Sequence, residues 1–184
     1  MEEIKYRLGE YKYEFFSKMQ NYLNTELIFF GSIKRSDYFK NYSDIDIAII
    51  TDNASSLLPK IQNYLNIKNS SIKKIYQKFT EKSRIVITGY KIKYEDKVNN
   101  LTFDLLVYDE KYKNIVMENI IAINDLPLFI IIILSILKFI YYNLKLMSKS
   151  YYLYLKNSIF YMYFNKKLSI YNKDFITTIS VDYF

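Results

Sequence analysis

The sequence predicts an α+β fold: a mixed β-sheet flanked by helices, followed by a short C-terminal helical annex. Three observations carry this expectation. Residues 43–51 and 101–108 alternate apolar and polar side chains, residues 3–23 repeat apolar side chains at helical spacing, and the chain from Leu126 onward turns almost wholly apolar. The expected division is a core over residues 1–125, including the N-terminal helix, and a helical region over 126–184.

In order, Ile4, Leu8, Tyr11, Phe15, Met19 and Tyr22 mark one face of an amphipathic helix. Leu27-Ile28-Phe29-Phe30 reads as a strand that closes on Gly31-Ser32, and a short polar segment, Ile33 to Asn41, follows. The β-branched run 43–51 is a strand, with Ile45, Ile47 and Ile49 on one face and Asp44 and Asp46 on the other. A loop over Asp52 to Ser56 leads to a helix carrying Leu57, Leu58, Ile61 and Leu65, with Pro59 tolerable in its first turn. Ile72, Ile75, Tyr76 and Phe79 predict another short helix. Residues 84–95 alternate as a strand whose parity changes at Gly89, the signature of a bulge. Glu95 to Asn100 is a turn, so 84–108 forms a hairpin that brings Asp104 into the sheet, opposite in facing to Leu101, Phe103, Leu105 and Val107.

Beyond this, Asp125 is placed to cap a helix with Pro127 just inside it, and a nearly unbroken apolar run extends to Leu146. Its uninterrupted part before Lys138 is shorter than the ~20 residues a bilayer demands, which favours a buried helix over a membrane span. A second helix is expected over about Ser150 to Phe164.

Composition narrows the chemistry. The chain has 184 residues, no cysteine and no histidine, which excludes disulfides, thiolate and imidazole catalysis and the usual zinc sites. The lack of cysteine and the acidic start Met1-Glu2-Glu3, which shows no cleavable leader, suit a cytoplasmic protein. Abundant Lys, Asn, Ile, Tyr and Phe point to an AT-rich genome such as that of a large DNA virus. Of the net +7, residues 126–184 carry most, with seven basic and two acidic side chains. A basic, tyrosine-rich surface can track a phosphate backbone and stack bases; the same tyrosines and lysines also serve as core and as solubilising charge.

Two carboxylates on one strand face repel unless cations neutralise them. Magnesium, which takes hard oxygen ligands and leaves sites open for phosphate, is the natural partner of Asp44 and Asp46. With Asp104 beside them, three carboxylates could hold two ions for in-line displacement at phosphorus. Gly31 permits a tight turn and close backbone approach, and Ser32 adds a hydroxyl donor where free amides face an anion. Arg35 and Lys34 read either as solvated charges or as phosphate ligands.

The run GSIKRSDYFKNYSDIDIAII followed by Asp104 resembles the DNA polymerase β-type nucleotidyltransferase superfamily, over about residues 25–110. The resemblance implies a nucleotidyltransferase-type sheet. It also implies metal binding and catalysis at Asp44, Asp46 and Asp104, with Asp104 helping to activate the attacking hydroxyl. Two Mg2+ ions, replaceable by Mn2+, would be the cofactors, and Gly31 and Ser32 would hold a nucleoside triphosphate, ATP being favoured. The segment GSIKR is also similar to minimal nucleotidyltransferases of prokaryotic toxin–antitoxin pairs, which carry an arginine where Arg35 stands and a small residue where Lys34 stands. SILKFIYYNLK and SYYLYL resemble the helical part of poly(A) and terminal uridylyl polymerases, oligoadenylate synthases and cyclic GMP-AMP synthase. Carried over, Lys138 and Ser150 touch the triphosphate and Tyr151 lies near the base, although Lys138 and Ser150 stand closer together here. Lys138 reads equally as a snorkelling lysine on a core helix.

The expected activity is transfer of a nucleoside monophosphate to a hydroxyl acceptor, preferably an RNA 3′ end, with release of pyrophosphate. The rivals are adenylylation of a partner protein, as by an antitoxin, and a non-catalytic nucleotide- or RNA-binding subunit. A protein partner or a homodimer is compatible with each; a membrane partner is not expected.

Overall fold

The computed structural model describes residues 4–78, 86–169 and 178–179. One mixed sheet organises them. Its strands are β1 (Ile28–Phe30), β2 (Ile45–Thr51), β3 (Ile72–Lys78), β4 (Val86–Asp96), β5 (Leu101–Asp109) and β6 (Thr178–Ile179), in the order β1-β2-β5-β4-β3-β6. β2 and β5 run parallel and every other pair is antiparallel.

Both faces of the sheet are covered, which explains its sequence pattern. On one face Ile45, Ile47 and Ile49 of β2 and Leu101, Phe103, Leu105 and Val107 of β5 join Phe16, Met19, Leu57 and Ile61 in the main core. Those last four come from α2 (Glu10–Leu23) and α3 (Ala54–Leu65). On the other face Ala48, Ile87 and Tyr108 pack with Val116 and Ile120 of α4 (Lys113–Asn124). Asp46 and Asp104 lie on this second face.

Several expectations change for physical reasons. The N-terminal helix breaks at Gly9, whose φ of +76 separates α1 (Lys5–Leu8) from α2. The break shifts the buried stripe to Phe16, Met19 and Leu23, leaving Tyr11 and Tyr22 exposed. α3 starts earlier than expected because Asn53, inside the presumed loop, caps it by accepting from the Ser56 amide at 3.0 Å. Residues Ile72 to Lys78 are strand β3 and not a helix. Ile72 packs into the first core and Ile75 into the second, so a three-residue spacing here records a strand buried on both faces. Phe79, and residues 84 and 85 of the expected strand, lie outside the described residues.

No bulge occurs at Gly89. β4 keeps an unbroken register with both neighbours, Gly89 facing Ile75 and Tyr108. The parity change arises because Ile87 and Ile92 serve opposite cores. Gly89 is needed for space: a Cβ there would stand 2.8 Å from the Tyr108 ring and from the Val107 carbonyl oxygen.

The annex consists of α5 (Leu128–Phe139), ending in a π-turn over Ile140–Leu144, and α6 (Lys149–Ser169). Asp125 closes α4, and Pro127 occupies the cap of α5 instead. The expectation of a buried helix holds for one side only. Ile130, Leu134, Leu137 and Lys138 are buried, whereas Leu128, Phe129 and Ile136 are 69%, 59% and 54% exposed. Among the described residues no single helix is long and apolar enough to cross a membrane; the bent pair Glu110–Asn124 and Leu128–Leu144 passes by length and composition alone.

Candidate functional site

The site is built where β1 ends and β2 begins. Phe30 pairs with Asp46, and Asp46 is in turn aligned with Asp104 across the parallel β2–β5 ladder. Equal register on adjacent strands gives their side chains the same facing, as the alternation of both runs requires. Asp44 precedes β2 and is exposed, yet it lines the same cavity of about 430 Å³ as Asp46 and Asp104.

Gly31 follows β1 with φ +74 and opens a 3-10 turn, Gly31–Lys34. A Cβ at Gly31 would come within 2.6 Å of Asp46 Oδ2, so the absence of a side chain lets the backbone lie against the carboxylate. The turn is fixed from two directions. The Gly31 amide donates to Asn124 Oδ1 at 2.8 Å, and Arg7 Nη1 donates to the Ile33 carbonyl at 3.0 Å and to that of Arg35. Ser32 is buried and lines both the aspartate cavity and a second one of about 480 Å³, beneath α5 and α6. Ser32, Asp46, Lys138 and Lys156 form the wall common to the two.

Lysines attend the acidic groups. Lys91 Nζ is 2.7 Å from Asp104 Oδ2, while Asp104 Oδ1 is buried with no partner. Burial pushes the Asp46 carboxyl up to about 6, with Lys156 opposing the shift and Asp104 and Asp44 adding to it. Among the described residues no three acidic side chains stand close enough to hold a metal ion. Carboxylates with no cation between them repel, and here Lys91 supplies positive charge to one of them. The donor chemistry of Asp46 and Asp104, with an unpartnered carboxylate oxygen, fits a hard divalent cation held by that pair.

A raised folded-state pKa in an acid means stability that is present at low pH and lost as pH rises through about 6. In cation-free buffer, Asp46→Asn is therefore expected to be more stable than wild type at pH 7.5 by about 1–2 kcal/mol, allowing for partial solvent screening, and to melt higher. The advantage should shrink as pH falls through about 6 and vanish only at about pH 3.8 and below, where the unfolded carboxyl is protonated as well. Thermal unfolding at the two pH values checks this, and an Asp46→Asn protein that melts lower at pH 7.5 contradicts the assignment.

Arg35 and Lys138 have partners. Arg35 is buried, its Nε and Nη2 donating to Asp37 Oδ1 and Oδ2 at 2.8 and 3.1 Å, and its Nη1 donating to the Ile123 carbonyl at 2.8 Å. Lys138 Nζ donates to the Asp37 carbonyl at 2.6 Å and to Asp37 Oδ2 at 3.0 Å, so it is not a snorkelling lysine. Burial drives the Asp37 carboxyl up, but Arg35 and Lys138 outweigh it and leave Asp37 below the usual carboxylate range. Ser150 and Tyr151 line neither cavity. Ser150 Oγ meets Ser148 Oγ at 3.1 Å, and the exposed Tyr151 ring stacks on Tyr154.

The face of α6 that does reach the cavities carries Lys149, Tyr152 and Lys156. Tyr152 is buried and stacks on Tyr141 at 4.4 Å. Their spacing of three and four was visible in the sequence and could have singled them out. Nothing local in the polar segment marked Asp37, and Lys91 became relevant only when β4 paired with β5.

A family model described as a nucleotidyltransferase domain matches residues 13–135. No match to a curated protein or to a solved structure is significant. The matched span takes in Gly31-Ser32, the two aspartates of β2 and Asp104, together with the strands that align them. With two thirds of its length so matched, the chain belongs to the nucleotidyltransferase domain family.

Proposed function

We propose that the protein is a magnesium-dependent enzyme that transfers a nucleoside monophosphate from a nucleoside triphosphate to the 3′ hydroxyl of RNA. The observation that most supports it is the aligned pair Asp46 and Asp104, lining one cavity with Asp44 and with Ser32 of the glycine-led turn. Bound magnesium would neutralise the polyphosphate and the carboxylates that hold it. Asp46 and Asp104 would be its ligands, with Asp44, which lines the same cavity, drawn in when the ion binds and with manganese an acceptable replacement. Gly31, with its backbone close to Asp46, and Ser32 would cradle the phosphates. Asp104 would orient the acceptor hydroxyl and take its proton as the oxygen bonds to the α-phosphorus. Pyrophosphate then leaves on the side of Lys138 and Lys156, whose charges favour the departing anion.

RNA as acceptor is supported by the basic annex and by the cavity wall of Lys93, Lys149 and Tyr152. ATP as donor rests on the resemblance to poly(A) polymerases. A second reading, transfer to a partner protein, is favoured by the apolar outer side of α5, where Leu128, Phe129 and Ile136 are exposed. Incubation with each labelled triphosphate and magnesium, with and without RNA, separates them. RNA extended by labelled nucleotide is the expected result. Label on protein alone favours the second reading, and no incorporation under any condition overturns both.

A further inference from the structure

Asp37 is fully buried, and nothing in its sequence setting marks it. Its carboxylate receives Arg35 through two nitrogens, while its Oδ2 and main-chain oxygen receive Lys138, which lies 101 residues away. Arg35 in turn grips the Ile123 carbonyl near the end of α4. One aspartate thus ties together the segment after the Gly31 turn, α4 and α5.

We propose that Asp37 is a positioning residue: it holds the Lys138 ammonium at the wall shared by the two cavities, where that cation meets the polyphosphate of the nucleotide. The inference rests on the nucleotide-binding reading above. Charge supports it first. The cavity beneath α5 and α6 is lined by three cations, Arg35, Lys138 and Lys156, against two carboxylates, Asp37 and Asp46, which leaves a surplus positive charge that favours an incoming anion. The same cavity is lined by Gly31 and Ser32, where an anion can enter. Geometry supports it second. A lysine is a flexible point charge, and the two acceptors on Asp37, at 2.6 and 3.0 Å, remove that freedom before any ligand binds.

Positioning and bulk charge predict opposite outcomes for one substitution. Asp37→Asn makes the site more positive, so charge alone would tighten polyphosphate binding, whereas loss of the Lys138 anchor weakens it. The probe is inorganic tripolyphosphate, titrated calorimetrically into the full chain well below the unfolding temperature. Asp37→Asn and Lys138→Met are each expected to weaken binding at least about tenfold, and the double variant to bind no more weakly than Lys138→Met, the non-additivity of residues acting as a unit. Equal or tighter binding by Asp37→Asn, or independent losses that multiply in the double variant, overturns the proposal. If Asp37→Asn does not fold, Lys138→Arg decides: it keeps the charge but not the geometry, so weaker binding supports positioning and unchanged binding overturns it. Failure of the wild-type chain to bind tripolyphosphate overturns the nucleotide reading as well; wild-type binding with an indifferent Asp37 overturns this inference alone.

Discussion

Asp46→Ala is expected to lower nucleotide incorporation by about 10²–10³-fold, the scale on which an enzyme loses a group that stabilises developing charge. The residue stands at the meeting point of the site. It is paired with Phe30 across β1 and aligned with Asp104 across β5, its Oδ2 lies under Gly31, and it lines both cavities. Because its carboxylate is held at a cost, removing it should leave the fold intact, as its raised pKa already indicates. Asp44→Ala should act in the same direction, since Asp44 faces the same cavity from the entrance of β2. Incorporation of labelled nucleotide, read beside thermal unfolding of each variant, is the measurement. Activity retained in both alanine variants would remove the case for carboxylate-dependent transfer.

Gly31→Ala should cost about 1–2 kcal/mol of stability and about 10²-fold in activity. The first figure is the penalty for a Cβ in left-handed backbone, here φ +74. The second follows from displacement of a reacting group by about an ångström, because the new Cβ would meet Asp46 Oδ2 at 2.6 Å. Gly9→Ala is the matched control. Its φ of +76 carries the same backbone strain, but its Cβ would touch only the far end of Lys40, at 3.7 Å. Gly9→Ala should therefore lose stability and keep activity. Equal activity in the two variants would show that the contact between Gly31 and Asp46 is immaterial to the reaction.

The site residues differ in how they could be read from the chain. Asp46 and Asp104 were legible because a strand alternates, so an aspartate within a run of isoleucine or leucine must face away from that run. Gly31 was legible as a turn, but not as the residue whose missing side chain admits Asp46 Oδ2. The same alternation rule misled at Ile72 and Ile75. It assumes one buried face, and a sheet covered on both sides buries residues of either parity. Gly89 failed for that reason too, its apparent bulge being a handover from one core to the other.

The helical annex shows the opposite balance. Its existence and approximate limits followed from apolar composition, yet the side of each helix that meets the site did not. Ser150 and Tyr151, singled out by resemblance, are exposed and line neither cavity, whereas Lys149, Tyr152 and Lys156 line the aspartate cavity. A rotation of one residue about a helix moves a side chain by about 100 degrees, so a small error of register exchanges an inward residue for an outward one.

The linear chain was sufficient to establish the α+β class, the strands that carry the acidic residues, and the pairing of those residues with a glycine-led turn. These depend on periodicity and local chemistry, which neighbouring residues express directly. The fold alone settled that Lys91 neutralises Asp104, that Lys156 faces Asp46, and that Asp37 joins Arg35 to Lys138 across 101 residues. Those contacts arise when elements distant in sequence pack together, and a buried ion pair leaves no pattern in the residues beside it.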